Sequence, residues 1–261
     1  MRATEKRQHI YFLILLFVFV ISSDADSGQI IEVGRFSSAT EGTITPIGWE
    51  PLIFKKDPRQ TRYDLVVEDN ISVIRAISDR SASGLTRKIS IDLKEYPIVQ
   101  WRWKVSNLIK NSDVHSKKGD DYAARLYIAF AYDPKTVGLW KRSKYQAGRL
   151  LFGDIPIAAI NYIWETKAPI ETFIDNAYTD FVKMIVVESG EQKVGQWVEE
   201  ERNLYEDYKK AFGETPPRVN GVAIMTDTDN TGETATTYYG DIIFKKIRIS
   251  CNHTPKSVRC D

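Results

Sequence analysis

Between Val99 and Val105 the chain alternates strictly: Val99, Trp101, Trp103 and Val105 are apolar, and Gln100, Arg102 and Lys104 between them are polar. Successive side chains of a strand point to opposite faces, so this run predicts a strand with large aromatics packed inward and cations outward. The stretch from Gly119 to Phe130 continues the pattern, with Leu126, Ile128 and Phe130 on one parity and Ala123, Arg125, Tyr127 and Ala129 on the other. Asp121 falls on the Arg125 side, where a carboxylate is expected to offset the cost of placing a guanidinium on a sheet. Taken as adjacent strands, the two runs form a two-faced sheet. Its outward row of Arg102, Lys104, Asp121, Arg125 and Tyr127 is the candidate ligand-binding face for a sugar or an anionic group, with Arg125 and Tyr127 at its centre. The solvated face of an antiparallel sheet carries the same residue types without any ligand.

Other short runs have the same character. Ile30 to Val33 is a candidate edge strand, and Pro51 confines Trp49 to Phe54 to a strand start or an edge. Arg62 to Val67, Ser72 to Ser78 and Arg87 to Leu93 are rich in Val, Ile and Tyr and are separated by turn residues, with Ser81 to Leu85 read as loop. Ile157 to Trp164 and Phe181 to Glu188 follow, the second nearly all apolar and hence central. Val222 to Met225, Thr236 to Phe244 and Ile247 to Ile249 read as a closing hairpin. Short strands at this spacing predict an antiparallel β-sandwich, not βαβ units. One helix is expected from Gln196 to Phe212, where Trp197, Leu204, Tyr205, Tyr208 and Phe212 fall near helical spacing and Glu199 to Glu201 lie opposite. Gly213 stops it and Pro216-Pro217 prevent resumption. The polar stretch Asn107 to Lys118, with His115, is placed as a rim loop, and Trp140 to Gly153 as a basic, aromatic connection.

The N-terminus changes the picture of where such a domain works. Arg2, Lys6 and Arg7 precede an apolar run from Ile10 to Ile21 and then Ser22-Ser23-Asp24-Ala25. This is the grammar of a signal peptide cut after Ala25, and the run is shorter than the roughly 20 residues of a spanning helix. The organisation expected is a signal peptide at 1–25, a single domain at 26–250 and a tail at 251–261. The whole chain of 261 residues carries a formal charge of +1, and removing the first 25 leaves it neutral. A neutral protein has no general electrostatic case for nucleic acid or an anionic membrane. Cys251 and Cys260 are the only cysteines, and in an exported protein they are expected to pair. No second Cys or His pair accompanies them and His253, so zinc is not expected. Tryptophans number 6 and tyrosines 13, side chains that fill sandwich cores and also stack on sugar rings.

Candidate chemistry is sparse. Asp227-Thr228-Asp229-Asn230-Thr231-Gly232 begins like a calcium loop, with Asp227 and Asp229 as ligands. Thr231 and Tyr238 then break the full pattern, and a plain turn explains the same residues. Asp120 and Asp121 are adjacent and would face opposite sides, so they are no catalytic carboxylate pair. Beyond the signal segment only His115 and His253 remain, neither in a recognisable triad. Lyase chemistry is conceivable on paper, with Tyr127 removing a proton beside a carboxylate neutralised by Arg125 and Arg102.

Trp101-Arg102-Trp103-Lys104, Gly119 to Tyr127, Gln196 to Arg202 leading to Asp207-Tyr208 and Phe212 to Pro217, Asp227 to Gly232 and Tyr239 to Ile242 together resemble the bacterial exported domain-of-unknown-function family number 3047. The resemblance spans roughly residues 32 to 249. The family has no assigned activity or catalytic residues to carry over. It implies an envelope or periplasmic setting and a jelly-roll sandwich like those of carbohydrate-binding modules. Such modules often hold a structural calcium near their final strand, which makes Asp241 a possible further ligand. Three readings follow: a non-catalytic carbohydrate-binding protein on the Arg102, Lys104, Arg125, Tyr127 face; a polysaccharide lyase or glycosidase on that face; and a structural or protein-interaction module.

Overall fold

The computed structural model describes residues 30–39, 46–54, 59–131 and 158–247. Thirteen strands are present among these residues: β1 Ile30–Gly34, β2 Glu50–Ile53, β3 Arg62–Glu68, β4 Ile71–Asp79, β5 Ala82–Ile91, β6 Ile98–Val105, β7 Ala124–Phe130, β8 Ala159–Glu165, β9 Phe173–Asn176, β10 Thr179–Ser189, β11 Val198–Asn203, β12 Val219–Asp227 and β13 Thr234–Lys245. One helix, α1, runs Leu204–Phe212. The first sheet has the order β11-β6-β13-β4-β3, with β1 also paired to β13. The second has the order β2-β5-β12-β7-β8-β10-β9. Every pairing is antiparallel except that of β8 with β10.

The alternation in β6 does what strand geometry requires. Val99, Trp101, Trp103 and Val105 are buried and the residues between them are not fully so. The two sheets meet through these indoles. Trp101 lies 5.1 Å from the Tyr162 ring of β8, and Trp103 lies 6.3 Å from Trp164. β8 is buried along its whole length, as a strand with neighbours on both sides and cover on both faces must be. The fold is thus a β-sandwich whose main core lies between the sheets, with a second, smaller cluster of Val114, Tyr122, Ile163, Met184 and Val186.

Four expectations are corrected. β6 and β7 are not neighbours: β6 lies between β11 and β13, while β7 lies between β12 and β8 in the other sheet. The connection from residue 106 to 123 crosses between sheets and carries the chain away from its predicted partner. β12 and β13 likewise belong to different sheets, so the closing segment is another crossover, not a hairpin. The predicted helix begins late, because Val198 to Asn203 pairs with β6 as an edge strand. The Asn203 side chain then caps the helix by accepting from the Glu206 N–H, and Gly213 closes it in the left-handed conformation at φ 72°. Tyr208 anchors α1 over the core, 4.5 Å from the Phe130 ring. β5 starts at Ala82, so the small residues at 82–85 are strand, not loop. The signal segment, the connection at Trp140 to Gly153, and Cys251 and Cys260 lie outside the described residues.

Candidate functional site

Arg125 and Tyr127 point outward from the second sheet, as parity demands, yet Arg125 is only 1% exposed. Its donors are directed at protein acceptors. Nε donates to Asp227 Oδ1 at 2.7 Å, and Nη2 to Asp227 Oδ2 and to the Asp120 carbonyl, both at 2.5 Å. Nη1 donates to the Tyr127 hydroxyl at 3.0 Å and lies 3.6 Å from Asp120 Oδ1. The Tyr122 ring stacks on the guanidinium at 4.3 Å. Arg125 is therefore a strut, not the open centre of a binding face. Its counter-ions are Asp227 and Asp120, and the expected partner Asp121 turns elsewhere. Burial pushes the Asp227 carboxyl up to about 8 against the pull of Arg125, with Asp121 and Asp120 adding to the rise. Burial likewise raises the Tyr127 phenol to about 12.

Asp121, fully buried, accepts from the Asn230 N–H and side-chain amide and from the Thr231 N–H and hydroxyl, the last two at 2.6 and 2.7 Å. It pins the loop after β12. Asp227 and Asp229 do come together, with carboxylate oxygens of Asp121, Asp227 and Asp229 within 4.8 Å of one another. Asp241 is not with them. It holds Ser37, accepting from its N–H at 2.8 Å and its hydroxyl at 2.5 Å, and so ties the N-terminal segment to β13. The predicted three-aspartate ligand set is corrected accordingly. Asp121 is spent on the loop's own donors and Asp227 on a guanidinium, so a hydrogen-bonded turn accounts for the geometry.

Arg102 and Lys104 lie on the opposite side of the molecule, on the outer face of the first sheet. The Arg102 guanidinium sits 4.6 Å from the Trp197 ring, and Lys104 Nζ lies 5.4 Å from Trp197 and 5.0 Å from the Tyr238 ring. Trp197 donates its indole N–H to Asp69 Oδ2 at 2.9 Å, and Lys104 pairs with Glu68 and Asp69. Gly240 makes this packing possible, since a Cβ there would stand 2.5 Å from Arg102 Cγ and Nε. Hydrogen bonding from Trp197, with Lys104 nearby, holds the Asp69 carboxyl below its ordinary value. Burial works to lower the Lys104 ammonium, but Glu68 outweighs it and the net shift is upward. Trp197 was not legible as a site residue, because its spacing fitted the helix stripe.

The family model described as "Protein of unknown function (DUF3047)" matches residues 47–243. The chain belongs to this family. All the DUF3047 side chains just described, apart from Ser37, fall inside the matched span. No curated protein matches the sequence. Among solved structures, the chain is similar to the glycoside hydrolase domain of Endo-D from Streptococcus pneumoniae R6, at 11% identity and a TM-score of 0.33, covering 76% of this chain and 21% of that one. It is also similar to the carbohydrate recognition domain of Emp47p, at 12% identity and a TM-score of 0.43, covering 85% of this chain and 99% of that one. Likenesses this distant carry no argument about function.

A further acidic group of the DUF3047 chain lies between the sheets. In β11, Val198, Glu200 and Arg202 face inward, opposite Trp103, Trp101 and Val99. Glu200 Oε1 is buried without a hydrogen-bond partner. Burial and then the nearby Glu188 carboxylate raise the Glu200 carboxyl to about 8, while Lys193, the Trp103 indole and Arg202 pull the other way. Arg202 is occupied with Asp207 at 2.8 Å and with Glu171. Burial and the Glu188 carboxylate thus make Glu200, beside the tryptophan core, hold its proton more tightly than an exposed glutamate does.

Proposed function

We propose that this protein is an exported, non-catalytic carbohydrate-binding sandwich that engages a sugar on the outer face of the first sheet. The observation that carries the reading is the Trp197 ring, half-buried on an otherwise polar face and fixed there by Asp69, with Arg102, Lys104 and Tyr238 around it. An indole locked in place offers a stacking surface to the C–H side of a pyranose at little conformational cost, and flanking charged groups supply hydrogen bonds to its hydroxyls. A non-catalytic role is supported by the titration of the same groups. An acid–base catalyst is tuned toward neutrality, whereas here Asp69 is moved down and Lys104 up, so both stay charged and neither is poised to exchange a proton.

Export rests on the basic and apolar N-terminal grammar, and sequencing the N-terminus of the secreted protein tests it, with a start after Ala25 expected. Binding is tested on a glycan array with the wild type and Trp197→Ala. The expected result is a set of glycans bound by the wild type and lost or weakened in the variant, with an unchanged thermal midpoint. A blank array, or a variant that binds as the wild type does, overturns the reading.

A further inference from the structure

We propose that the outer face of the second sheet holds a second, enclosed site for a neutral, polyhydroxylated ligand, read by the Asn161 side-chain amide together with Tyr127. The site lies on the opposite sheet from Trp197 and depends on none of the residues there.

Asn161 of β8 stands directly opposite Tyr127 of β7, on the outward side of the sheet. It is 0% exposed, and neither Nδ2 nor Oδ1 has a hydrogen-bond partner. A buried amide with both functions unmet forfeits two hydrogen bonds that water would supply, and apolar side chains of similar size would avoid the loss. On the β10 side it is flanked by buried Met184, and its polar neighbours lie towards β7. The Tyr127 hydroxyl accepts from Arg125, which leaves its own proton free to point away from the guanidinium. The Tyr122 hydroxyl, on the ring that stacks against Arg125, is also buried without a partner.

Space and access follow from the register. Ala129 and Ala159 face each other one pair along the same face, and Ala223 stands opposite Tyr127 on the other side. Such short side chains keep this part of the face low, and Asn161 and Ala159 beneath it are covered. Tyr127 and Ala129 keep partial exposure, so the face is reached from their side.

The chemistry selects the ligand class. One amide donor, one amide acceptor and two phenol hydroxyls match adjacent sugar hydroxyls, each of which donates and accepts. Arg125 has its donors committed and is outnumbered by the Asp120, Asp121 and Asp227 carboxylates, which disfavours an anion.

The test is calorimetric titration of the full chain with neutral mono- and disaccharides and with a uronic acid, on the wild type, Asn161→Ala, Asn161→Leu and Trp197→Ala. The wild type is expected to bind a neutral saccharide at two sites, Trp197→Ala to keep the enclosed one at unchanged affinity, and both Asn161 variants to bind there about tenfold or more weakly, as loss of hydrogen-bonded partners implies. The thermal midpoint of Asn161→Leu is expected to be unchanged or higher. Titrations of both Asn161 variants indistinguishable from the wild type, or no binding left in Trp197→Ala, overturn the proposal, as does tighter binding of the uronic acid to Trp197→Ala. The first two of these outcomes leave the Trp197 reading standing, whereas a Trp197→Ala titration identical to the wild type's, with binding abolished in both Asn161 variants, removes that reading instead. Should both Asn161 variants fail to fold, unaltered binding in Tyr127→Phe overturns the proposal.

Discussion

Replacing Glu200 by glutamine isolates the contribution of one buried acid. The Glu200 carboxyl titrates near 8 in the folded protein against an ordinary 4.5. A folded state that holds a proton more tightly than the unfolded chain gains stability from it below the unfolded value and loses that gain as pH rises through the folded value. Each unit is worth about 1.4 kcal/mol, so the difference sets a ceiling of about 5 kcal/mol between pH 4.5 and 8. Glu200 retains some contact with water, and screening reduces the expected loss to roughly 2 kcal/mol. Glutamine keeps the shape and cannot ionise. Urea denaturation at a series of pH values should therefore give matching stabilities near pH 4.5 and an advantage of about 2 kcal/mol for Glu200→Gln above pH 8. Asp227 also titrates near 8, but it does so in both proteins and cancels in the difference. Glu188→Gln removes the neighbouring charge and should move the wild-type loss to lower pH. Parallel curves for wild type and Glu200→Gln would refute the reasoning.

Other predictions concern the strut, the loop pin and the open face. Arg125→Leu leaves Asp227 and Asp120 buried without a counter-ion and should cost about 3–5 kcal/mol in chemical denaturation; a negligible loss would show that the network is not structural. Asp121→Asn should cost about 2 kcal/mol and speed amide exchange at Asn230 and Thr231, because the carboxylate accepts four bonds from that turn. Calcium should leave the wild-type thermal midpoint unmoved, and a clear rise would show that the Asp121, Asp227, Asp229 oxygens take a cation. Gly240→Ala should displace Arg102 from the Trp197 ring and weaken glycan binding, and an unaltered affinity would show that Arg102 is dispensable there.

The sandwich was legible because alternation survives burial: Trp101 and Trp103 point inward as their spacing required, and Pro51 sits in an edge strand. The neighbour relations were not. Nothing in the sequence indicated that the 106–123 connection would carry β7 to the other sheet, and this one crossing divided the candidate face into a half at Arg102 and Lys104 and another at Tyr127 and the sealed Arg125. The Arg125 partner lies 102 residues away at Asp227, a contact that local parity with Asp121 could not anticipate. The run from Trp197 to Asn203 was misassigned for a related reason. Its spacing suits a helix face, but pairing with β6 decides its conformation, and only there does Glu200 turn inward. Asn161 gave no signal at all, since an isolated Asn in an apolar strand shows its lack of partners only in three dimensions.

Two of the crossings between the sheets, at 106–123 and 228–233, are fastened to each other. Asp121 grips Asn230 and Thr231 from one side, and from the other the Glu233 carboxylate accepts the Lys110 and Asn111 N–H groups at 3.0 and 2.9 Å. The molecule resembles a book whose spine is sewn along this border, so its leaves must part from elsewhere. Amide protons at Lys110, Asn111, Asn230 and Thr231, although they belong to connections, should be among the late ones to exchange with deuterium, and the path of opening should start at the free margins of the strands.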